Sequence, residues 1–225
     1  MNIEKIKKSL DYITNDFDTS VDLSLKRFRN AVTDLAEEIN CKRLLSQGGV
    51  VNEPAEGVEA LIGKQIRFGG MEWTVLEQDD NTIEILSNNY LPDEYEFGRT
   101  NIWARSTLRK TLHEWLKTWA GDNKIEEYVR SMYVASMDEA SEVLDESIDQ
   151  IRLLTLEEQL RYRRLGIMPK YTPGWQWTIT AGRGIAHIVW GSYSSGHVDG
   201  NYSYCAARCA PALIISLDAP FELIS

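Results

Sequence analysis

The chain has 225 residues, 43% of them hydrophobic and 26% charged, with a net charge of −10. That composition suits one globular domain with an appendage, or two small domains, and excludes wholesale disorder. Residues 1–48 carry eight Lys/Arg against eight Asp/Glu, so the negative excess lies entirely beyond them; a domain so acidic repels phosphate backbones and anionic bilayers, which excludes nucleic acid as a non-specific partner.

No apolar run approaches the roughly 18 residues that cross a bilayer, so no membrane insertion is expected. The opening MNIEKIKKSL lacks the apolar core of a secretory signal. The expectation is therefore a protein cytoplasmic as synthesised, with packaging into a virion as another route outward.

The first element is periodic. Ile3, Ile6, Leu10, Ile13 and Phe17 step by 3 and 4, and Leu25, Phe28, Val32, Leu35 and Ile39 repeat the steps. This is the narrow a/d seam of associating helices. It predicts a helical arm over residues 1–45, either one long helix with a register slip at DFDTSVDLS or an antiparallel helical hairpin, and a homo-oligomer formed through residues 3–39. The alternative is a pair of helices packed on their own domain. SQGGVVNEPAEG (residues 46–57) has glycines, a proline and no periodicity, and reads as a linker. The remaining residues, 58–225, form the second domain.

That domain opens on short alternating strands, IRF, MEWTVLEQ and TIEILS, joined by turns at Gly69-Gly70 and Asp79-Asp80-Asn81, which is a β-meander. STLRKTLHEWLKTWA predicts a helix capped by Ser106, with Leu108, Leu112, Trp115 and Trp119 on one stripe and Gly121 at its end. A second helix is expected from Asn123, with Glu126 completing a capping box and Ile125 and Val129 inward. The acidic run Ile125–Asp149 reads as a solvated face. TLEEQLRYRRLG predicts a helix with Thr155 and Glu158 as capping box and Gly166 as stop. From WQWTIT onward the chain reads as strands and long loops, with His187 of AHIV on a strand. Trp73, Trp103, Trp115, Trp119, Trp175 and Trp177 are expected core anchors. The class is α+β.

Several fragments, in order, carry a resemblance: the strand Trp73-Thr74-Val75-Leu76, Trp103-x-x-Ser106-x-Leu108-Arg109, Leu154-Thr155-x-Glu157-Glu158, Trp175-x-Trp177 and Pro211-Ala212-Leu213. Over roughly residues 60–218 the chain resembles a bacterial and phage domain of unknown function. That domain is itself similar to the C-type-lectin-like fold of formylglycine-generating enzymes and of the variable proteins of diversity-generating retroelements. The resemblance implies a C-type-lectin-like domain whose C-terminal strands and loops make an exposed binding face. The family pattern has a tandem Trp-Trp followed by Leu-Arg, and an Arg before the closing Pro-Ala-Leu. Here Gln176 separates the tryptophans, Thr178 follows them and Ala210 precedes Pro211, so a polar site built on those arginines is not carried over.

The candidate site is the polar stretch Gly191–Tyr204, just before the last hydrophobic strand. Tyr, Ser, Gly and Asn dominate natural paratopes, because tyrosine gives large contact area with few rotors and the small polar residues adapt their hydrogen bonds. Ser192, Tyr193, Ser194, His197, Asp199, Asn201, Tyr202 and Tyr204, with Trp190 anchoring the edge, are the expected ligand-binding residues. A hairpin around Gly196 or Gly200 would put alternate residues on one side. The ligand class is a protein or a glycan. The competing view is a solvated hairpin whose tyrosines serve as strand formers.

No cofactor is expected. Calcium on Asp199 and Asn201 lacks further oxygen ligands at a recognisable spacing. Cys41, Cys205 and Cys209 are too few for a disulfide framework. Two late cysteines leave a thiol- or copper-dependent oxidase, of the formylglycine-generating kind, as the enzyme alternative, and with His197 added a zinc site of three irregularly spaced ligands is conceivable. His113 reads as structural or solvated. No Ser-His-Asp order or phosphate loop is present. The expected function is non-enzymatic ligand recognition, with a cytoplasmic partner-binding or regulatory module as the other alternative.

Overall fold

The computed structural model of the chain describes residues 60–224; the expected arm over 1–45 and linker over 46–57 lie outside them. The expected meander is present as β1 (Gln65–Phe68), β2 (Met71–Gln78) and β3 (Thr82–Ser87), antiparallel in sequence order. Gly69 and Gly70, at φ 56° and 75°, make the first turn. There only glycine fits without strain, and a Cβ on Gly69 would lie 2.4 Å from the Trp119 ring. Asp79 organises the second turn by accepting the Asn81 and Thr82 amides.

A two-residue strand β4 (Tyr95–Glu96) precedes α1 (Thr107–Asn123). Ser106 caps α1 as its sequence predicts, accepting the Arg109 amide. Leu108, Leu112, Leu116 and Ala120, one face at steps of four, are buried, and Trp115 stacks on Trp119 at 5.3 Å beside them. Gly121 does not end the helix. It runs two residues further, to Asn123, and Lys124 supplies the left-handed cap at φ 57°.

No second helix follows. Asn123 is the last residue of α1, its side chain donating back to the Trp119 carbonyl, and Glu126–Tyr128 makes a single 3-10 turn into β5 (Val129–Arg130). Val129 pairs with Ile215, so tertiary strand pairing overrides the local capping signal. Ile125 and Val129 are buried as expected.

The acidic run then folds into a hairpin, β6 (Met132–Met137) and β7 (Val143–Asp149). It is not uniformly solvated, because Asp138 and Asp149 are buried. α2 (Leu156–Arg164) carries the expected reciprocal capping box of Thr155 and Glu158, and Gly166, at φ 73°, follows its end. The C-terminal part comprises β8 (Trp175–Ala181), β9 (Ile188–Tyr193), β10 (Val198–Tyr202), β11 (Ala206–Ala207), β12 (Ala212–Ser216) and β13 (Glu222–Ile224). His187 sits in the turn before β9 rather than on a strand.

The strands make a six-stranded sheet in the order β13-β1-β2-β3-β12-β5, a three-stranded sheet β10-β9-β8, and the pairs β11-β4 and β6-β7. The result is a mixed α+β fold. Along β2, β3 and β12 the side chains alternate between two cores. Val75, Ile85 and Leu213 face α1, while Leu76, Leu86 and Ala212 face Tyr162 of α2. Trp73, Trp103 and Trp177 are fully buried, as core anchors should be.

Two buried charge clusters tie these layers together. The Asp149 carboxylate, 1% exposed at the end of β7, accepts from Trp103 Nε1, Arg109 Nε, Ser147 Oγ and, at 3.0 Å, contacts His113 Nε2. Arg152 holds Glu158 through both guanidinium nitrogens and Glu84 of β3 at 2.6 Å.

Candidate functional site

The polar stretch forms a β-hairpin turning around Gly196, with β9 and β10 in register Ser192↔Val198, Gly191↔Asp199 and Val189↔Asn201. β8 flanks β9 with Trp175 opposite Tyr193 and Trp177 opposite Gly191. Since side chains alternate, Tyr193, Asp199 and Asn201 share one face with Trp175.

Above that face is a cleft of about 350 Å3, lined by Trp175, Tyr193, Asp199 and Asn201 together with Glu94 and Arg208. Its volume lies within the range of small-ligand sites.

Two glycines shape it, at positions where neighbouring side chains rather than backbone angles demand them. A Cβ on Gly191 would lie 2.3 Å from Trp175 Cζ2 and 2.4 Å from the Gln176 carbonyl, so the indole lies flat on a bare backbone. Trp177 meets the same indole edge-on at 4.5 Å, and its own Nε1 donates to the Tyr95 carbonyl. A Cβ on Gly174 would lie 2.8 Å from Arg208 Nη1. That nitrogen donates to Thr172 Oγ1 and the Pro173 carbonyl, while Nε stands 3.6 Å from Glu94. An aromatic platform and a guanidinium are thus fixed before any ligand arrives.

The hairpin itself is held from behind. Arg163 of α2 donates to the Tyr193 and Ser194 carbonyls, and Ser192 donates to Gln159 Oε1 at 2.5 Å. Ser192 is therefore buried on the opposite face, a correction to its expected place among displayed residues. Trp190 lies half-buried on that opposite face too, its carbonyl accepting Thr178 Oγ1.

The tyrosines do stand outward. Tyr193, Tyr202 and Tyr204 are 40%, 51% and 54% exposed. Tyr202 and Tyr204 stack on each other at 5.1 Å, outside the cleft, and His197 sits 5.7 Å from the Tyr193 ring at the hairpin tip. Asp199 Oδ1 accepts the Gly200 amide and Asn201 Oδ1 the Tyr202 amide. These contacts leave each side chain further polar capacity on the cleft side.

The structure thus gathers three of the expected residues, Tyr193, Asp199 and Asn201. Ser194, His197, Tyr202 and Tyr204 lie around the hairpin rather than in the cleft, and Trp190 and Ser192 lie behind it. Sequence reasoning missed Glu94 and Arg208, and took Trp175 for a core anchor. A signal for Arg208 did exist: it is the only Lys or Arg after Arg183.

The two late cysteines are unlike each other. Cys209 is buried in the core and burial pushes its thiol far up, which keeps it protonated and a poor nucleophile or metal ligand. Cys205 is half-buried in the turn after β10. Among the described residues no three His, Cys, Asp or Glu side chains gather as a metal site, and no helix is long and apolar enough to cross a membrane.

No family model, curated protein or solved structure matches the chain.

Proposed function

We propose that this chain is a non-enzymatic recognition protein that binds a ligand in the cleft of its C-terminal face. The observation that carries the reading is the preset pairing of Trp175 and Arg208, each seated on a glycine, across from Tyr193, Asp199 and Asn201. A fixed ring plus planar donors and acceptors suits a glycan terminus or a protein side chain, since both present one apolar face and several polar edges. The buried, protonated Cys209 weighs against the thiol-oxidase alternative.

The finer fold assignment, C-type-lectin-like, belongs to this proposal. It is supported by the pairing of the first and last strands of the domain, β1 with β13, which closes the two ends of the domain on one another. A phage or retroelement setting rests on the residue pattern alone. Comparing sibling genes for variation concentrated at residues 191–204 tests it. Self-association through residues 3–39 rests on their heptad spacing, and light scattering of the intact and arm-deleted chains tests it.

The binding reading is tested by ligand-observed NMR of the intact protein against panels of soluble oligosaccharides and peptides. Trp175→Ala is expected to abolish every specific hit. Gly191→Ala is expected to do the same while destabilising the fold by about 1–3 kcal/mol, because both the indole and the strand must shift. Hits that survive Trp175→Ala would place recognition elsewhere.

A further inference from the structure

β6 is paired on one side only. It forms a two-stranded sheet with β7; among the described residues β8 lies close beside it and joins it at the Asp138–Ala181 bridge just past its end, and no other strand pairs with its second edge. Along it runs a groove. The first section, about 270 Å3, is lined by the consecutive residues Met132, Tyr133, Val134 and Ala135. Successive strand residues point to opposite faces, so a cavity touching all four follows the strand's edge. The second section, about 260 Å3, shares Met137 and Thr155 with the first and continues between the β6–β7 turn and α2 as far as Arg164.

The groove combines apolar walls with excess negative charge. Ile179 and Ile214 lie across from β6 in the first section. Five carboxylates line the two sections, those of Glu84, Glu158, Asp138, Glu139 and Glu157, against the guanidinium groups of Arg152 and Arg164. Asp138 is occupied, accepting the Ala140 and Glu142 amides and lying 3.6 Å from the Arg183 guanidinium; Glu139 accepts the Arg183 amide but is exposed, as is Glu157. Glu84 gives Oε1 to Arg152, while its Oε2 accepts none of the hydrogen bonds found among the described residues. Burial raises the Glu84 carboxyl above its ordinary value, the sign of a negative charge short of compensation. Beside the groove the cross-strand partners Tyr133 and Ile148 are 61% and 64% exposed.

We propose that this groove receives an extended basic segment of a partner protein, which adds as a strand to the unpaired edge of β6 at Met132–Ala135 and sets cationic side chains against Glu84 and Glu157. An unpaired strand edge supplies the main-chain hydrogen bonds, and the alternating pockets supply the selection for charge. The four consecutive residues Met132–Ala135 that line the groove offer a ladder about 13 Å long. The site is separate from the C-terminal cleft and does not depend on it.

The probe is a capped, fluorescein-labelled octapeptide alternating lysine and valine, titrated into the full-length protein by fluorescence anisotropy. Saturable binding is expected, and none when lysine is replaced by glutamate. Two N-methylated versions, one for each alternate set of amides, separate strand addition from charge attraction. Only the set facing β6 should matter, with a loss on the order of tenfold, the worth of about two ladder hydrogen bonds.

Tyr133→Ser and the double variant Glu139→Gln/Glu157→Gln, all at exposed positions, should weaken binding similarly, and Trp175→Ala should leave it unchanged. Amide exchange should slow at residues 132–135 when peptide is added. Equal binding of both N-methylated peptides, protection elsewhere, or no binding at all overturns the proposal. So does slowed exchange at β6 without peptide that Tyr133→Ser relieves together with dimer dissociation, since the occupant would then be a second copy.

Discussion

Asp149→Ala is expected to destabilise the domain by about 3–5 kcal/mol, read as a fall in the urea midpoint at pH 7. The carboxylate is buried at the junction of β7, the Trp103 turn and α1, and its removal strands the buried Trp103 Nε1 and takes from Arg109 its ion-pair partner, leaving it the Ile148 carbonyl alone. Burial by itself would raise the Asp149 pKa. Hydrogen bonds from His113, Arg109, Trp103 and Ser147 overcome that effect and hold it well below the ordinary carboxylate range.

The sign of the pH dependence follows. A carboxyl whose folded pKa lies below its unfolded one, about 3.9, contributes its stability in full above that value. Stability is lost as pH falls through about 4 and further below. Wild type should therefore lose part of its margin over Asp149→Ala on acidification, and a gap that stays constant from pH 7 to pH 3 would show that the carboxylate is not the stabilising group. Asp149→Asn should recover only part of the loss, since an amide keeps the shape but not the charge that faces Arg109.

Arg152→Met should cost about as much, 3–5 kcal/mol by the general magnitude for breaking a buried pair. Arg152 is 8% exposed and answers two carboxylates, Glu84 and Glu158, that also serve β3 and the α2 capping box. Without the guanidinium Glu158 keeps only its Thr155 donors, whereas Glu84 is left near-buried with no donor among the described residues, its folded pKa raised further above the unfolded one. Such a group destabilises above the unfolded value and ceases to do so once protonated. The variant should then approach wild type below about pH 4, the opposite of the wild-type trend set by Asp149. Adding Glu84→Leu should restore part of the loss at pH 7, because removing a charge together with its partner is far less harmful than stranding it. A double variant less stable than Arg152→Met would show that Glu84 has another role in the sheet.

Local chemistry was readable wherever a residue acts on its own neighbours. The Ser106 cap, the Thr155–Glu158 box and the Gly69-Gly70 and Asp79 turns all appear as their residue types require. The same local reasoning failed at Asn123–Glu126. Its capping signal is genuine as a propensity, but Val129 is drawn into the six-stranded sheet before a helix can continue. Likewise the exposed tyrosines of the C-terminal hairpin followed from composition and alternation, whereas the burial of Ser192 did not. Nothing in SYSSGHVDGNY announces that Gln159, thirty-three residues earlier, waits behind it.

By itself, the sequence determined the α+β class, the meander, the two helix starts and a polar, tyrosine-bearing hairpin near the C-terminus, because each depends on periodicities and caps within a few residues. Only the tertiary structure decided which residues form the cleft. Glu94, the Gly174-Trp175 pair at the start of β8, and Arg208 come from separate segments of the chain, and the close seating of an indole on Gly191 and a guanidinium on Gly174 exists only after β8, β9 and the segment before β12 have met. The physical reason is range. Backbone preference acts over a turn or two of chain, while a binding surface is made of contacts between segments that pairing and burial bring together from far apart.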